Sequence, residues 1–347
     1  MRGFRFLMLL AFASGFAEPC SPFALAQDSG EKAKPTFSIV IHGGAGGNPD
    51  KWSEEYKQQR RDGLNAALNL GVEMLQGGSK SLDVVEAVIR ELEDDATFNA
   101  GRGCVLNEQG RHELDASIMD GRTLGCGAVA SVRTIRHPIS LARRVMLDTK
   151  HVLLSGDGAE KFGVSLGLET AEDEHFQTDQ RKQQWKIWKQ RQATKLSTTE
   201  KSEAYFGTVG CVVVDSSGNL AAGTSTGGLM GKRWGRVGDS PIIGAGNYAD
   251  NGTCAVSGTG VGEEFIRHNI AADVAARMRY GGKELAEAAQ AAIASLPENC
   301  GGIIAVDQAG NMVMEFNTVA MSRAFANSDG DRGVLLASEP VAAPQPN

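Results

Sequence analysis

Proline is scarce in this chain, 10 of 347 residues, and aromatic residues make up only 6%. With no G-x-y period either, collagen-like and proline-rich disordered architectures are excluded. Basic residues are not in excess. The 35 Lys and Arg stand against 42 Asp and Glu, a net charge of −7 that offers no electrostatic footprint for nucleic acid. Six cysteines contain no C-x-x-C pair, so neither a zinc site nor a disulfide framework is expected. The histidines show no H-E-x-x-H spacing, and there is no G-x-x-x-x-G-K-[ST] loop. What remains is ordinary globular usage, 41% hydrophobic and 22% charged, in a chain long enough for one large domain.

Glycine is what the chain has in excess, 43 residues, about 12% against roughly 7% in average usage. The glycines concentrate where strands end: Gly43–Gly47, Gly101 with Gly103, Gly207 with Gly210, Gly227-Gly228, Gly244 with Gly246, and Gly258, Gly260 and Gly262. Such positions let the backbone take positive φ or come close to a ligand. The run Gly258-Thr259-Gly260-Val261-Gly262 lacks the spacing of a dinucleotide fingerprint, and no acidic residue ends a following strand.

Residues 1–26 have the form of a secretion signal. Arg2 and Arg5 precede an apolar run from Phe6 to Ala17, too short to span a bilayer, and Ala24-Leu25-Ala26 forms a small-x-small cleavage site. The expected location is secreted or periplasmic, with no membrane attachment after removal of the signal. Cys20 leaves with it, and Cys104, Cys126, Cys211, Cys254 and Cys300 are expected to be buried free thiols.

In the mature chain, Thr36–His42 reads as a strand, and Tyr56–Gln76 and Ser81–Asp94 as amphipathic helices. Gly127–Arg133 and Val152–Ser155 are further strands, and His137–Leu147 and Gly158–Phe162 short helices. Glu169–Phe206 is polar with almost no apolar periodicity and is expected to be a flexible linker; its part Gln180–Lys201 carries seven Lys/Arg, Trp185 and Trp188. Val209–Asp215 and Leu220–Thr224 form a hairpin, Gly262–Met278 and Lys283–Ser295 a helix pair, Gly302–Asp307 and Met312–Phe316 a second hairpin, and residues 337–347 a tail expected to be disordered. Strands arriving as hairpins beside separate helix pairs predict an α+β fold with antiparallel sheets covered by helices.

The hydroxyl-rich segments of the first hairpin carry the chemistry. Gly207-Thr208 opens its first strand and Thr226 closes its second, so pairing brings the two threonines to one sheet end. Arg236 and Asp239 follow closely and match the carboxylate and ammonium of an amino-acid substrate. A threonine with no His or Asp partner is a weak nucleophile.

In order along the chain, Ile41-His42-Gly43-Gly44-Ala45-Gly46, Phe98-Asn99-Ala100-Gly101, His112–Ala116, Met119-Asp120-Gly121, Gly207–Gly210, Thr224–Gly228, Gly235–Pro241 and Phe316-Asn317-Thr318 resemble the plant-type asparaginase/isoaspartyl peptidase family of N-terminal-nucleophile threonine hydrolases. The resemblance implies a four-layer αββα sandwich. It also implies self-cleavage between Gly207 and Thr208, leaving an α chain 27–207 and a β chain 208–347. Thr208 would be the nucleophile, with the α-amine freed by that cut (reference pKa of about 7.7–8.0) as its base, so that no histidine is expected near the site, and Thr226 would be its support. Thr259 and Gly260 would form the oxyanion hole, Arg236, Asp239 and Gly262 would bind substrate, and Asn99 would order the site. No cofactor is implied for catalysis. A structural sodium would be held by backbone carbonyls of the loop containing Leu92, Glu93, Asp95, Phe98, Ala100 and Arg102. The substrates implied are small molecules, asparagine and isoaspartyl dipeptides, and the assembly a homodimer of αβ units. Two alternatives are a glycosylasparaginase, although relatives of that kind carry Asp where Gly207 stands, and an inactive secreted binding protein. Phe206, Gly258 and Val261 depart from the family pattern, the last two in the pocket-lining loop.

Overall fold

A computed structural model describes residues 36–193 and 207–337. The proposed signal at 1–26, the end of the expected linker at 194–206 and the tail beyond 337 lie outside the described residues.

Nine helices and twelve strands are present among the described residues. The strands are β1 (Ser38–Ala45), β2 (Leu114–Asp120), β3 (Cys126–Val132), β4 (Leu153–Ser155), β5 (Val209–Val214), β6 (Leu220–Thr226), β7 (Asn247–Ala249), β8 (Cys254–Gly260), β9 (Gly301–Asp307), β10 (Met312–Phe316), β11 (Met321–Asn327) and β12 (Arg332–Leu335). The helices are α1 (Glu54–Gln76), α2 (Ser81–Asp94), α3 (Pro138–Asp148), α4 (Gly156–Ser165), α5 (Asp173–Phe176), α6 (Asp179–Ala193), α7 (Gly262–His268), α8 (Ile270–Gly281) and α9 (Leu285–Ala294).

One eight-stranded sheet runs β12-β11-β1-β5-β6-β2-β3-β4, antiparallel except for the parallel β3–β4 pair, and a four-stranded antiparallel sheet runs β10-β9-β8-β7. Side chains of a strand alternate between faces, and both sheets are covered on both sides. On β1, Ile39 and Ile41 enter the core under the helices, while Val40 enters the core between the sheets. On β5, Cys211 and Val213 take the first direction and Val212 and Val214 the second. On the smaller sheet, Val256 and Ile303 pack beneath α8 and α9, whereas Ala255, Ile304 and Val306 face the larger sheet. Three cores separate four layers, which gives the αββα sandwich.

Three features differ from expectation. The helix expected over Gly262–Met278 is two, because Asn269 turns left-handed at φ 51°. The break lets Gly244 and Ala245 carbonyls accept the N–H groups of Ala272 and Ala271 at the start of α8. Strand β8 carries glycines and is covered on both faces, so it shows no alternation in the sequence. The region expected as a flexible linker holds α5 and α6: Phe176 is fully buried in the first core, and Arg181 Nε donates to Gly103 O at 2.6 Å.

Candidate active site

The register of the central hairpin builds the site. Val209 pairs with Ser225 and Gly210 with Thr224, which puts Thr208 and Thr226 at the next position along the ladder. Their hydroxyls are 2.9 Å apart. Thr226 Oγ1 also accepts the N–H of Gly228 at 3.0 Å, and either hydroxyl can donate in the pair with Thr208.

Asn99 ties the two ends of this geometry together. Its N–H donates to Gly207 O at 3.1 Å, its carbonyl accepts from Gly227 N–H at 3.0 Å, and its Nδ2 donates to Gly228 O at 2.8 Å. Val105 N–H holds the Asn99 Oδ1 at 2.8 Å. A cavity of about 250 Å³ borders Gly207, walled by Asn99, Trp52, Tyr56, Arg60 and Arg181.

A histidine does stand beside Thr208, contrary to expectation. His42, the last residue of β1 paired with β5, faces Thr208 O through Nδ1 at 2.9 Å and Ser257 Oγ through Nε2 at 3.0 Å. Ser257 Oγ is 2.7 Å from Thr224 Oγ1. Burial pushes the imidazole down to about 3, so it is neutral at physiological pH. A carbonyl only accepts, so Nδ1 carries the proton and Nε2 accepts from Ser257. This ring fixes the Thr208 backbone and is no base for its hydroxyl. Gly210 makes the arrangement fit: a Cβ there would lie 2.1 Å from Ser257 Oγ and 2.3 Å from His42 Nε2.

Arg236 and Asp239 lie together as expected. Gly262 backs them both, since a Cβ there would meet Arg236 Nη2 at 2.7 Å and Asp239 Oδ1 at 2.8 Å. Arg236 Nη1 would touch a Cβ on Gly228 at 3.5 Å, which places the guanidinium beside the loop leaving Thr226. Glu263, not singled out from the sequence, receives Arg236 Nε and Nη2 in a fork at 2.9 and 3.0 Å. Asp239 is buried, and its Oδ2 has no hydrogen-bond partner among the described residues. Burial raises its carboxyl to about 7, partly offset by Arg236. A buried carboxylate oxygen without a donor is expensive, and an incoming ammonium would relieve it.

Thr259 is buried on β8 and its Oγ1 accepts from Ala45 N–H at 3.2 Å, which leaves the hydroxyl proton to donate elsewhere. Gly260 follows at the strand end.

The 92–102 loop fits a hard cation in its donor chemistry. A Cβ on Gly101, at φ 45°, would lie 2.3 Å from Glu93 O, and one on Gly103 would lie 2.1 Å from Phe98 O and 2.4 Å from Ala96 O. Glycine at both positions lets this segment fold closely on its own backbone. The Glu93 side chain is engaged elsewhere, accepting from Ser225 Oγ at 2.6 Å and Ile139 N–H at 3.1 Å. Among the described residues no group of three or more His, Cys, Asp and Glu forms a metal site. All five described cysteines are free, and burial pushes Cys104 and Cys254 up to about 12.

With sheets, threonine pair and arginine–aspartate clamp in place, the chain belongs to the asparaginase family, whose pattern it matches over residues 35–336. It is 45% identical over 296 residues to the isoaspartyl peptidase of Escherichia coli (strain K12), covering 83% of this chain and 92% of that protein. It is also 43% identical over 322 residues to a probable isoaspartyl peptidase/L-asparaginase 2 of Arabidopsis thaliana, covering 86% and 98%. The isoaspartyl peptidase/L-asparaginase of Danio rerio is 42% identical over 291 residues, covering 83% and 91%.

Proposed function

We propose that this chain is an exported amidohydrolase that cuts itself between Gly207 and Thr208 and then hydrolyses L-asparagine and β-aspartyl dipeptides. The observation that carries this reading is the 2.9 Å contact of Thr208 and Thr226 hydroxyls beside the Arg236–Asp239 clamp.

In the uncut chain the Thr208 nitrogen is an amide and is no base. Thr208 Oγ1 attacks the Gly207 carbonyl carbon, whose oxygen already accepts from Asn99 N–H. The C–N bond breaks as its nitrogen takes the Oγ1 proton, which frees the Thr208 amine and leaves an ester, and water then cleaves that ester into the Gly207 carboxylate and the Thr208 hydroxyl. That amine then takes the Oγ1 proton as Oγ1 attacks the side-chain carbonyl of the substrate. Arg236 binds the α-carboxylate, and ionised Asp239 binds the α-ammonium with the oxygen that has no partner here. Thr259 hydroxyl and Gly260 N–H stabilise the oxyanion, a role in which one lost donor costs about 2.7–4 kcal/mol. The leaving amine departs with a proton. Water activated by the Thr208 amine then cleaves the β-aspartyl–Thr208 ester and frees aspartate.

Backbone carbonyls of Leu92, Glu93, Asp95, Phe98, Ala100 and Arg102 would hold a structural sodium, which neutralises converging oxygens and takes no part in the reaction. Residues 1–26 direct export. A homodimer of αβ units completes the reading; it is supported by Leu147, Leu153 and Val164, exposed on α3, β4 and α4. Comparing asparagine, β-aspartyl-leucine and glycosyl-asparagine tests the substrate class. Hydrolysis of the first two with little of the third is expected, and glycosyl-asparagine as the sole substrate overturns it.

A further inference from the structure

The stretch around Trp185 and Trp188 finds no place in the reaction above, yet its position is specific. Arg181, Gln184, Trp185 and Trp188 recur on one face of α6, at the spacing by which a helix docks. Arg181 Nε reaches Gly103 O, and Trp185 Nε1 donates to Asn107 O at 2.9 Å. The ring of Trp188 covers Gly231, where a Cβ would lie 2.1 Å from it. Gly231 is held at φ 73°, a conformation glycine adopts without strain.

The two loops under α6 are bonded to each other. Gly231 N–H donates to Leu106 O at 2.7 Å, and Glu108 N–H donates to Lys232 O at 3.0 Å. The second loop runs from Thr226 to Arg236, and Arg236 N–H donates back to Arg233 O at 2.9 Å, so the backbone that carries the guanidinium is continuous with the segment under Trp188. Bidentate recognition of a carboxylate depends on the angle of the guanidinium fork. Glu263 holds two of its nitrogens, but nothing on α7 fixes the backbone of the loop.

We propose that Trp188 is a positioning residue: α6, at the C-terminal end of the α chain, clamps the 226–236 loop and sets Arg236 for the substrate carboxylate. The inference deepens the function proposed above and rests on it. The self-cut would leave α6 held by docking alone on its far side, so carboxylate recognition would depend on the α chain keeping this helix in place.

The test compares parent, Trp188→Phe and Trp188→Ala proteins after self-cleavage, with Thr208 at the new N-terminus verified by intact mass. Their KM and kcat are measured on β-aspartyl-leucine. KM is expected to rise in the order parent, Phe, Ala, reaching roughly tenfold or more, because small misplacement of a binding group is costly, while kcat stays within about twofold. If Trp188→Ala does not fold, the Phe variant alone decides the matter by a raised or an unchanged KM. An unchanged KM, or a fall confined to kcat, overturns the clamp while leaving the parent activity intact. A parent protein with no activity on the dipeptide instead overturns the proposed function.

Discussion

Thr208 and Thr226 meet hydroxyl to hydroxyl at 2.9 Å, one strand position beyond the last paired residues of their hairpin. Either hydroxyl can donate across this contact, and the Gly228 N–H that Thr226 Oγ1 accepts holds that oxygen in place. Thr226→Ala is expected to fold, to slow self-cleavage and to lower kcat of the cut enzyme by roughly tenfold, the upper range of one lost neutral hydrogen bond. Time-resolved intact mass and steady-state kinetics check both effects; parental rates would remove Thr226 from the mechanism.

Asp239 gives a pH prediction. Burial holds its carboxyl at about 7, above the ordinary 3.8, so the folded chain binds this proton more tightly than the unfolded chain. The group therefore costs stability progressively as pH rises from about 4 through about 7. Asp239→Asn abolishes that titration. Its stability advantage over the parent should grow across this window and level off above it at about 4 kcal/mol. The same variant should lose most activity, since a neutral amide binds the substrate ammonium poorly. Denaturant melts at pH 4, 6 and 8 decide it, and an advantage equal at all three contradicts the assignment.

His42 is neutral and donates to Thr208 O through Nδ1. His42→Asn keeps a donor near that atom, whereas His42→Gln moves it toward Ser257. Asn should retain most of kcat and Gln should lose roughly fivefold or more, one hydrogen bond's worth. The pH midpoints of activity should stay in place in both variants. A displaced acid limb would make His42 a titrating base and refute this orienting role.

Gly262 is needed for space and not for backbone shape. Its added Cβ would strike the far end of Arg236 and the Asp239 carboxylate and would lie 3.0 Å from the Asp239 backbone nitrogen. Gly262→Ala should keep its melting temperature within a few degrees and raise KM roughly tenfold. A normal KM would show that neither side chain needs its present position.

The parts of the site legible in the sequence are those set by local chemistry. Strand pairing alone brings Thr208 toward Thr226, and Arg236 and Asp239 follow within one loop. His42 was hidden because its partner Ser257 is 215 residues away, on the other sheet, and only the packing of the two sheets joins them. Glu263 stood in sight at the start of α7, but an acidic residue in a first helical turn has an ordinary explanation there. The α6 stripe escaped periodicity analysis because its docking face is Arg-Gln-Trp-Trp, with no aliphatic side chain to mark it. In the smaller sheet the hairpin of β9 and β10 is marked by its turn, whereas β8, buried almost throughout, shows no alternation and emerges only from the structure.

The central claim is that one threonine becomes both nucleophile and base through a cut at its own N-terminus. Intact mass of the purified parent protein and of Thr208→Ala, each assayed with β-aspartyl-leucine, tests it most directly. Two fragments with Thr208 at the new N-terminus, beside an uncut and inactive Thr208→Ala, are predicted. An uncut parent chain with full amidase activity would contradict the account.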